Sequence, residues 1–306
     1  MSAASRSLAW LQPDEEPRVA VVCESTACLP AMQRDELGIA VIPVPFSYGD
    51  RTFLDGVDIT PAEFYARLVA TRTPPRTSPP APGDYLRAWE RAGAGGGAVV
   101  SVTVADALST FGRSVRLAAD LAASELPEVP VTVIDSGSAG MGQGFVALAA
   151  ARAAADGQPL ASVVAAATRV RNAVHLLVTL DTLEYLARAS RIPRIASVLG
   201  GILAIKPIIE LSGGEARPLA RLRTRRRALA DLRDRLQRSV PEGARLHAGV
   251  QHAQAAEEAQ CLEEWLGVTF DCVELLTTEF TPVMGGYCGP GLLGVAYYVE
   301  EASDGG

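Results

Sequence analysis

The stretch from Ala98 to Asp135 decides the fold, because it contains a strand, a helix and a second strand in close succession. It reads AVVSVTV (Ala98–Val104), then a segment with helical periodicity (Leu108–Leu121), then VTVID (Val131–Asp135). Short β-branched, apolar runs of this kind are typical of strands buried on both faces. Two such strands separated by a helix predict a parallel sheet with helices packed on it.

The same alternation extends in both directions from this unit. Two further strands are predicted upstream, at Arg18–Cys23 (RVAVVC) and Gly38–Pro43 (GIAVIP). The predicted helices of this half are Pro61–Ala70, Pro82–Arg91, Met141–Ala155 and Leu160–Arg171. We therefore expect residues 18–172 to form a three-layer α/β/α domain around a parallel sheet, preceded by a loose tail at residues 1–17.

The pattern changes in the second half, where strands outnumber helices. Two of the strands flank Ser212–Glu215 (SGGE), which is a hairpin signal. The predicted strands are Leu176–Leu180, Ile205–Leu211, Ala216–Leu222, Leu246–Gln251, Phe270–Leu275 and Leu293–Val299, and the predicted helices are Leu183–Ala189, Thr224–Ser239 and Ala253–Leu266. Residues 173–306 are thus expected to form a second, two-layer α/β domain with a mixed sheet and helices on one face.

Length, charge and cysteine content narrow the functional classes. A chain of 306 residues favours two domains, and its net charge of -7 disfavours a nucleic-acid partner. No apolar run is long enough to span a membrane, and residues 1–17 lack a signal-peptide pattern. The cysteines are scattered, without the paired spacing of a zinc site: Cys23, Cys28, Cys261, Cys272 and Cys288. We expect a cytoplasmic protein without a metal or cofactor.

Hydroxyl side chains occupy the positions where a ligand would be expected. The segment Thr77–Tyr85 (TSPPAPGDY) places Thr77 and Ser78 before a rigid proline run, so that two uncharged donors sit on stiff backbone. Ser25 and Ser109 follow the carboxyl ends of predicted strands, where open α/β sheets bind ligands. Simpler alternatives stay open, because Ser25 and Ser109 are equally typical helix N-caps and Thr77-Ser78 equally an ordinary loop.

Taken in order, seven segments resemble the DegV family of bacterial fatty-acid-binding proteins. The family's motifs are D-S-T-A-D-L-P, T-S-Q-P-S-P, L-S-G-T, D-S-x-x-x-S-x-G-x-G, L-E-Y-L-x-x-G-G-R-I, N-I-K-P and G-x-H-x-G-P-G. The matching segments here are Glu24–Pro30, Thr77–Pro82, Leu108–Ser109, Asp135–Gly144, Leu183–Ile192, Ile205–Pro207 and Gly285–Gly291. Each motif alone is weak evidence for the family, whereas the ordered set is specific to it.

The resemblance implies a function as well as a fold. Members of this family bind one long-chain fatty acid in a tunnel between two domains. Some present the bound carboxylate to a separate kinase subunit, which converts it to an acyl phosphate. The resemblance therefore implies a binding subunit of a fatty acid kinase system without catalytic residues or cofactor, and it leaves transient membrane contact open.

The resemblance also implies site residues. The family's carboxylate-binding threonine and serine correspond to Thr77 and Ser109, and its histidine corresponds to Tyr287. Further carboxylate contacts are expected from Ser78, Ser25 and the backbone of Gly142, and kinase contacts from Arg191 and Arg223.

A second hypothesis comes from another functional class. An enzyme acting on a small phosphorylated or acyl substrate in the interdomain cleft would need a general base, for which Glu24 and Asp135 are the candidates. A serine hydrolase is disfavoured, since the chain has no G-x-S-x-G elbow. The loop Gly140–Gly144 lacks the glycine spacing of a dinucleotide site.

Overall fold

The computed structural model describes residues 18–94, 97–188 and 205–300. Its strands, numbered along the chain, are β1 (Val19–Glu24), β2 (Ala40–Ile42), β3 (Pro45–Tyr48), β4 (Arg51–Leu54), β5 (Arg76–Thr77), β6 (Ala98–Thr103), β7 (Val131–Asp135), β8 (His175–Thr179), β9 (Lys206–Ser212), β10 (Glu215–Leu222), β11 (Arg245–His252), β12 (Asp271–Glu279) and β13 (Leu293–Val299).

Its α-helices are α1 (Ala31–Glu36), α2 (Pro61–Thr71), α3 (Pro82–Ala92), α4 (Phe111–Glu125), α5 (Met141–Ala155), α6 (Leu160–Ala173), α7 (Glu184–Arg188), α8 (Arg225–Ser239), α9 (Ala256–Thr269) and α10 (Pro282–Cys288). A short 3₁₀ turn, Ser25–Ala27, follows β1. No helix in the described ranges is long and apolar enough to cross a bilayer.

The first sheet is parallel, as the β6–α4–β7 unit predicts. Its strand order is β2-β1-β6-β7, and every neighbouring pair runs parallel. On one face, Tyr85 and Trp89 of α3 and Val115 of α4 pack against Val22 and Val99. The other face is covered by α5. The predicted three-layer α/β/α arrangement is therefore confirmed.

The second sheet is mixed, in the order β10-β9-β8-β13-β11-β12. Strands β9 and β10 form the predicted antiparallel hairpin, whereas β11 and β12 run parallel. Leu232 and Leu236 of α8 and Leu262 and Leu266 of α9 pack together with this sheet in one core cluster. The prediction of a mixed sheet with its own helices on one face is confirmed.

Helix α5 joins the two sheets. It contacts β1 and β6 of the first sheet and β11 and β13 of the second. Its alanine-rich sequence allows this, because small side chains let both sheets approach one helix. Gly249 in β11 adds to the effect, since a Cβ there would lie 3.1 Å from Cβ of Met141. Helix α6 also contacts both sheets. The division into domains at residues 172 and 173 therefore stays a prediction.

A third, small sheet was not predicted. It has the order β4-β3-β5 and is antiparallel throughout. Strand β5 has only two residues, too few for a periodic pattern to mark it. Phe46 of β3, Phe53 of β4 and Phe64 of α2 pack as an aromatic cluster beneath it. This sheet positions the TSPPAPGDY segment, because Thr77 is the last residue of β5.

Several predicted boundaries differ from the structure. The helix predicted at Leu108–Leu121 begins at Phe111, so Ser109 lies in the preceding loop. The strand predicted at Phe270–Leu275 runs instead as Asp271–Glu279, and the helix predicted from Ala253 begins at Ala256. Helices α1 and α10 were not predicted. The end of the helix predicted at Leu183–Ala189 lies outside the described residues.

Candidate functional site

A cavity of about 700 Å³ opens beside β5, where the first half of the chain meets α10 of the second. The segment Arg72–Ser78 forms one wall, and Arg188 and Tyr287 complete the lining. Three residues predicted to contact a carboxylate, Thr77, Ser78 and Tyr287, are thus brought together.

Thr77 and Tyr287 form a pair in the lining of this cavity. Strand pairing places Thr77 opposite Phe46 of β3 and leaves it only 5% exposed. Its Oγ1 is hydrogen-bonded to Oη of the half-buried Tyr287. Ser78 is exposed, and its backbone N–H donates to the carbonyl of Pro45 (3.1 Å). Two neutral hydroxyls and a third on the rim therefore line one opening.

Glycines allow α10 to bring Tyr287 into position. A Cβ on Gly285 would lie 2.0 Å from Oη of Tyr65, and one on Gly286 would lie 2.7 Å from Cγ of Pro75. Tyr65 itself donates to the carbonyl of Phe280 (2.9 Å), just before the helix. The glycine pair of the G-G-Y-C-G-P-G motif thus permits close packing of α10 against α2 and the proline segment.

Ser25 supports this arrangement from behind and does not line the cavity. Its Oγ donates to Oδ2 of Asp55 (2.6 Å) and accepts from the N–H of Val44 (3.2 Å). The other oxygen of Asp55 accepts from the N–H of Val283 in α10 (3.1 Å). Burial raises the pKa of Asp55, and the hydrogen bond from Ser25 opposes that rise. Ser25 therefore connects the loop after β1 to the helix that carries Tyr287.

Ser109 and Gly142 are not among the described residues that line this cavity. Oγ of Ser109 accepts from the N–H of Phe111 (3.3 Å), which is the first residue of α4. The N–H of Gly142 donates to the carbonyl of Ala139 (3.1 Å), and a Cβ there would lie 2.0 Å from Oγ of Ser138. The structure gives both residues local roles in the starts of α4 and α5.

The cavity lining also includes arginines that were not identified from the sequence. Arg72 and Arg76 flank the proline pair of TRTPPRT (Thr71–Thr77), and Arg188 ends α7. Arg188 pairs with Glu184 and donates to the carbonyl of Arg72. The two arginines on either side of Pro74-Pro75 were the available signal. Of the predicted kinase contacts, Arg223 is exposed at the end of β10 and Arg191 lies outside the described residues.

Both candidate general bases accept hydrogen bonds that hold parts of the fold together. Glu24 is 1% exposed, and its Oε1 accepts from the hydroxyls of Tyr85 and Thr103, each at 2.8 Å. Its Oε2 accepts from Nε2 of Gln143 (2.8 Å) and the N–H of Val104 (3.3 Å). Burial raises the pKa of Glu24, and the hydrogen bonds from Tyr85, Thr103 and Gln143 oppose that rise. The carboxylate therefore joins β1, α3, β6 and α5.

Asp135 instead accepts hydrogen bonds from backbone N–H groups of nearby loops. Its Oδ1 accepts from the N–H of Gly137 (2.8 Å) and its Oδ2 from that of Asp106 (3.4 Å). Neither acid lines the cavity beside β5. Within the part of the chain that the structure describes, no group of three or more His, Cys, Asp or Glu side chains is placed to hold a metal ion.

Comparisons with known proteins agree with this architecture. The DegV family model, described as "Uncharacterised protein, DegV family", matches residues 18–300. A DegV domain-containing protein of Streptomyces coelicolor is 35% identical over 279 residues, covering 90% of this chain and 97% of the relative.

Two solved structures share the fold at more than 25% identity. One is a DegV family protein of Thermus thermophilus described by its fatty acid binding, with a TM-score of 0.84 and 28% identity over 92% of this chain and 100% of that one. The other is DegV of Bacillus subtilis, a fatty acid binding protein, with a TM-score of 0.84 and 26% identity over 93% of this chain and 100% of that one. This chain therefore belongs to the DegV family.

Proposed function

We propose that this protein binds one long-chain fatty acid, with the carboxylate held by Thr77 and Tyr287. The observation that carries the proposal is their hydrogen-bonded hydroxyl pair in the wall of an open cavity. The two solved relatives described as fatty-acid-binding proteins support it. Each hydroxyl rotates about its C–O bond, so either can turn from its partner and donate to a carboxylate oxygen beside the pair.

Neutral donors suit this ligand energetically. Burial of one methylene contributes about 0.8 kcal/mol, so a chain of about 15 methylenes contributes on the order of 12 kcal/mol before ordering costs. The alkyl chain thus supplies the affinity, and the head group needs only enough hydrogen bonds to offset its desolvation. We infer that the chain extends towards the core behind Thr77, where Phe46 belongs to a cluster shared by both halves.

The other residues that were predicted to contact the carboxylate have different proposed roles. Ser78, on the rim, is proposed as a third donor to the carboxylate. Ser25 is proposed to act through Asp55, whose contact with Val283 positions α10. Direct carboxylate contacts by Ser109 and Gly142 stay predictions.

We further propose that the bound carboxylate is presented to a separate kinase subunit, which forms an acyl phosphate. The open cavity supports this, because a second protein could reach a head group at Thr77. Arg223 is exposed and suited to an acidic partner surface. The competing enzyme hypothesis loses support from the hydrogen bonds that occupy Glu24 and Asp135. The five cysteines are free thiols, which fits a proposed cytoplasmic location.

The test is native mass spectrometry of protein purified from cells, followed by denaturing extraction of lipid. We expect one acyl chain per wild-type chain and a strongly reduced amount with Thr77→Ala. Thr73→Ala is the matched control, since Thr73 lines the same cavity but its hydroxyl donates to the carbonyl of Thr71 (3.1 Å). Wild-type protein that carries no acyl chain and binds none when supplied would contradict the proposal.

A further inference from the structure

The cavity beside β5 carries more positive charge than a carboxylate ligand requires. Among residues 18–94, 97–188 and 205–300, its lining includes Arg72, Arg76 and Arg188 and no aspartate or glutamate. The whole chain, in contrast, has a net charge of -7. Arg188 is partly neutralised by Glu184, which leaves a local excess of about two positive charges around Thr77.

Arg72 and Arg76 are available to a ligand. Both are exposed, and neither guanidinium has an ion-pair partner among residues 18–94, 97–188 and 205–300. An exposed arginine that lines a cavity without an acidic partner is suited to an anion, because its planar fork of N–H donors matches carboxylate and phosphate oxygens.

The backbone holds these two arginines in place. Arg72 has a φ of 52°, a left-handed conformation that residues other than glycine rarely adopt, and its N–H caps α2 through the carbonyl of Leu68 (2.8 Å). Arg188 then donates to the carbonyl of Arg72. Strand pairing fixes Arg76 opposite Ser47. These contacts fix the backbone positions from which both side chains extend.

We propose that Arg72 and Arg76 form a phosphate subsite next to the proposed carboxylate site at Thr77. A phosphate group has two negative charges and three terminal oxygens, which suit two guanidinium forks better than the single charge of a carboxylate. The inference deepens the proposed function and rests on it. Two sources share this chemistry: the phosphate of an acyl phosphate on the bound chain, and the terminal phosphates of a nucleotide donor.

The test compares two ligands with the same alkyl chain, palmitate and pentadecylphosphonate, by isothermal titration calorimetry. The variant is Arg72→Gln/Arg76→Gln. We expect it to lower affinity for the phosphonate at least about tenfold while changing palmitate affinity less than about threefold, since the loss of two charge-assisted contacts falls on the dianion. That result assigns the subsite to the acyl phosphate.

The second arm titrates palmitate-loaded protein with pyrophosphate. Binding that the double variant abolishes, with the phosphonate unaffected, would assign the same subsite to a donor's phosphates. Arg226→Gln/Arg227→Gln is the matched control, because both residues are exposed on α8, outside the cavity, and their replacement changes the net charge equally.

Thermal unfolding of each variant checks that the fold is retained. If wild-type protein binds palmitate but neither the phosphonate nor pyrophosphate depends on Arg72 and Arg76, the subsite is wrong and the proposed function stands. If wild-type protein binds neither palmitate nor the phosphonate, the proposed function itself is contradicted.

Discussion

Thr77 and Tyr287 stand 210 positions apart in the chain, and a hydrogen bond joins their side-chain oxygens. Thr77 ends a two-residue strand of the first half, and Tyr287 lies in a seven-residue helix near the end of the second. Neither element is long enough to be stable alone. The wall of the cavity is therefore complete only when both halves of the chain have folded and packed together.

Tyr287→Phe is expected to weaken fatty acid binding about tenfold, or roughly 1.4 kcal/mol, since it removes one hydroxyl donor and little volume. Displacement of a fluorescent fatty acid measures this. Tyr48→Phe is the matched control, because the hydroxyl of Tyr48 is buried without a hydrogen-bond partner in the described residues. Equal affinities for the two variants would remove Tyr287 from the carboxylate site.

Ser25→Ala separates a supporting role from direct contact with the ligand. It removes the hydrogen bond to Asp55 and leaves the N–H of Val44 unsatisfied, so we expect the free energy of unfolding to fall by about 1–3 kcal/mol. Urea denaturation measures this loss. Fatty acid affinity of the folded variant should change less than about threefold. A large loss of affinity with unchanged stability would instead place Ser25 at the carboxylate.

Glu24→Gln is expected to alter how stability depends on pH. Burial raises the pKa of Glu24 above its ordinary value of 4.5, so the folded protein binds this proton more tightly than the unfolded chain does. Its contribution to stability is present at low pH and is lost as the pH rises through the raised pKa.

Urea denaturation at about pH 4, 6 and 8 measures this effect as the difference between wild type and variant. Relative to Glu24→Gln, the wild type should lose stability across that range. Glu90→Gln, on the exposed side of α3, is the control for replacing a glutamate by glutamine at a solvent-exposed position. A wild type that instead gains stability relative to Glu24→Gln as the pH rises would show that hydrogen bonding outweighs burial at this carboxylate.

Gly286→Ala is expected to disturb the site through the backbone. The new Cβ would lie 2.7 Å from Cγ of Pro75, so the segment that carries Thr77 must move. We expect a loss of about 1–3 kcal/mol in stability and a clear loss of fatty acid affinity. Gly267→Ala in α9 is the control, since the nearest atom to its Cβ among the described residues would be Cδ2 of Leu275 at 3.6 Å. That substitution should be neutral or stabilising by up to about 1 kcal/mol. Unchanged stability and binding in Gly286→Ala would show that α10 tolerates displacement.

The elements that sequence reasoning predicted are those whose pattern is local and long enough to read. Strands β1, β6 and β7 are short runs rich in valine and other apolar residues, and α5 matches its predicted bounds, Met141–Ala155. The two residues of β5 were missed, because two residues have no period. Thr77 was identified as a site residue through family motifs, whereas its strand pairing with Phe46 was not foreseen.

Local patterns in the chain were sufficient to predict two different sheets, their order along the chain and the hydroxyl-bearing segments near strand ends. Those properties depend on residues that are close together in the sequence, so a pattern read along the chain can predict them. Packing between distant segments decides which partner each hydroxyl has. Ser25 is hydrogen-bonded to Asp55, and Thr77 is hydrogen-bonded to Tyr287. The clustering of Arg72, Arg76 and Arg188 has the same origin. A side chain's partner depends on which backbones meet in space, and the shared helix α5 sets that meeting by packing both sheets against one core.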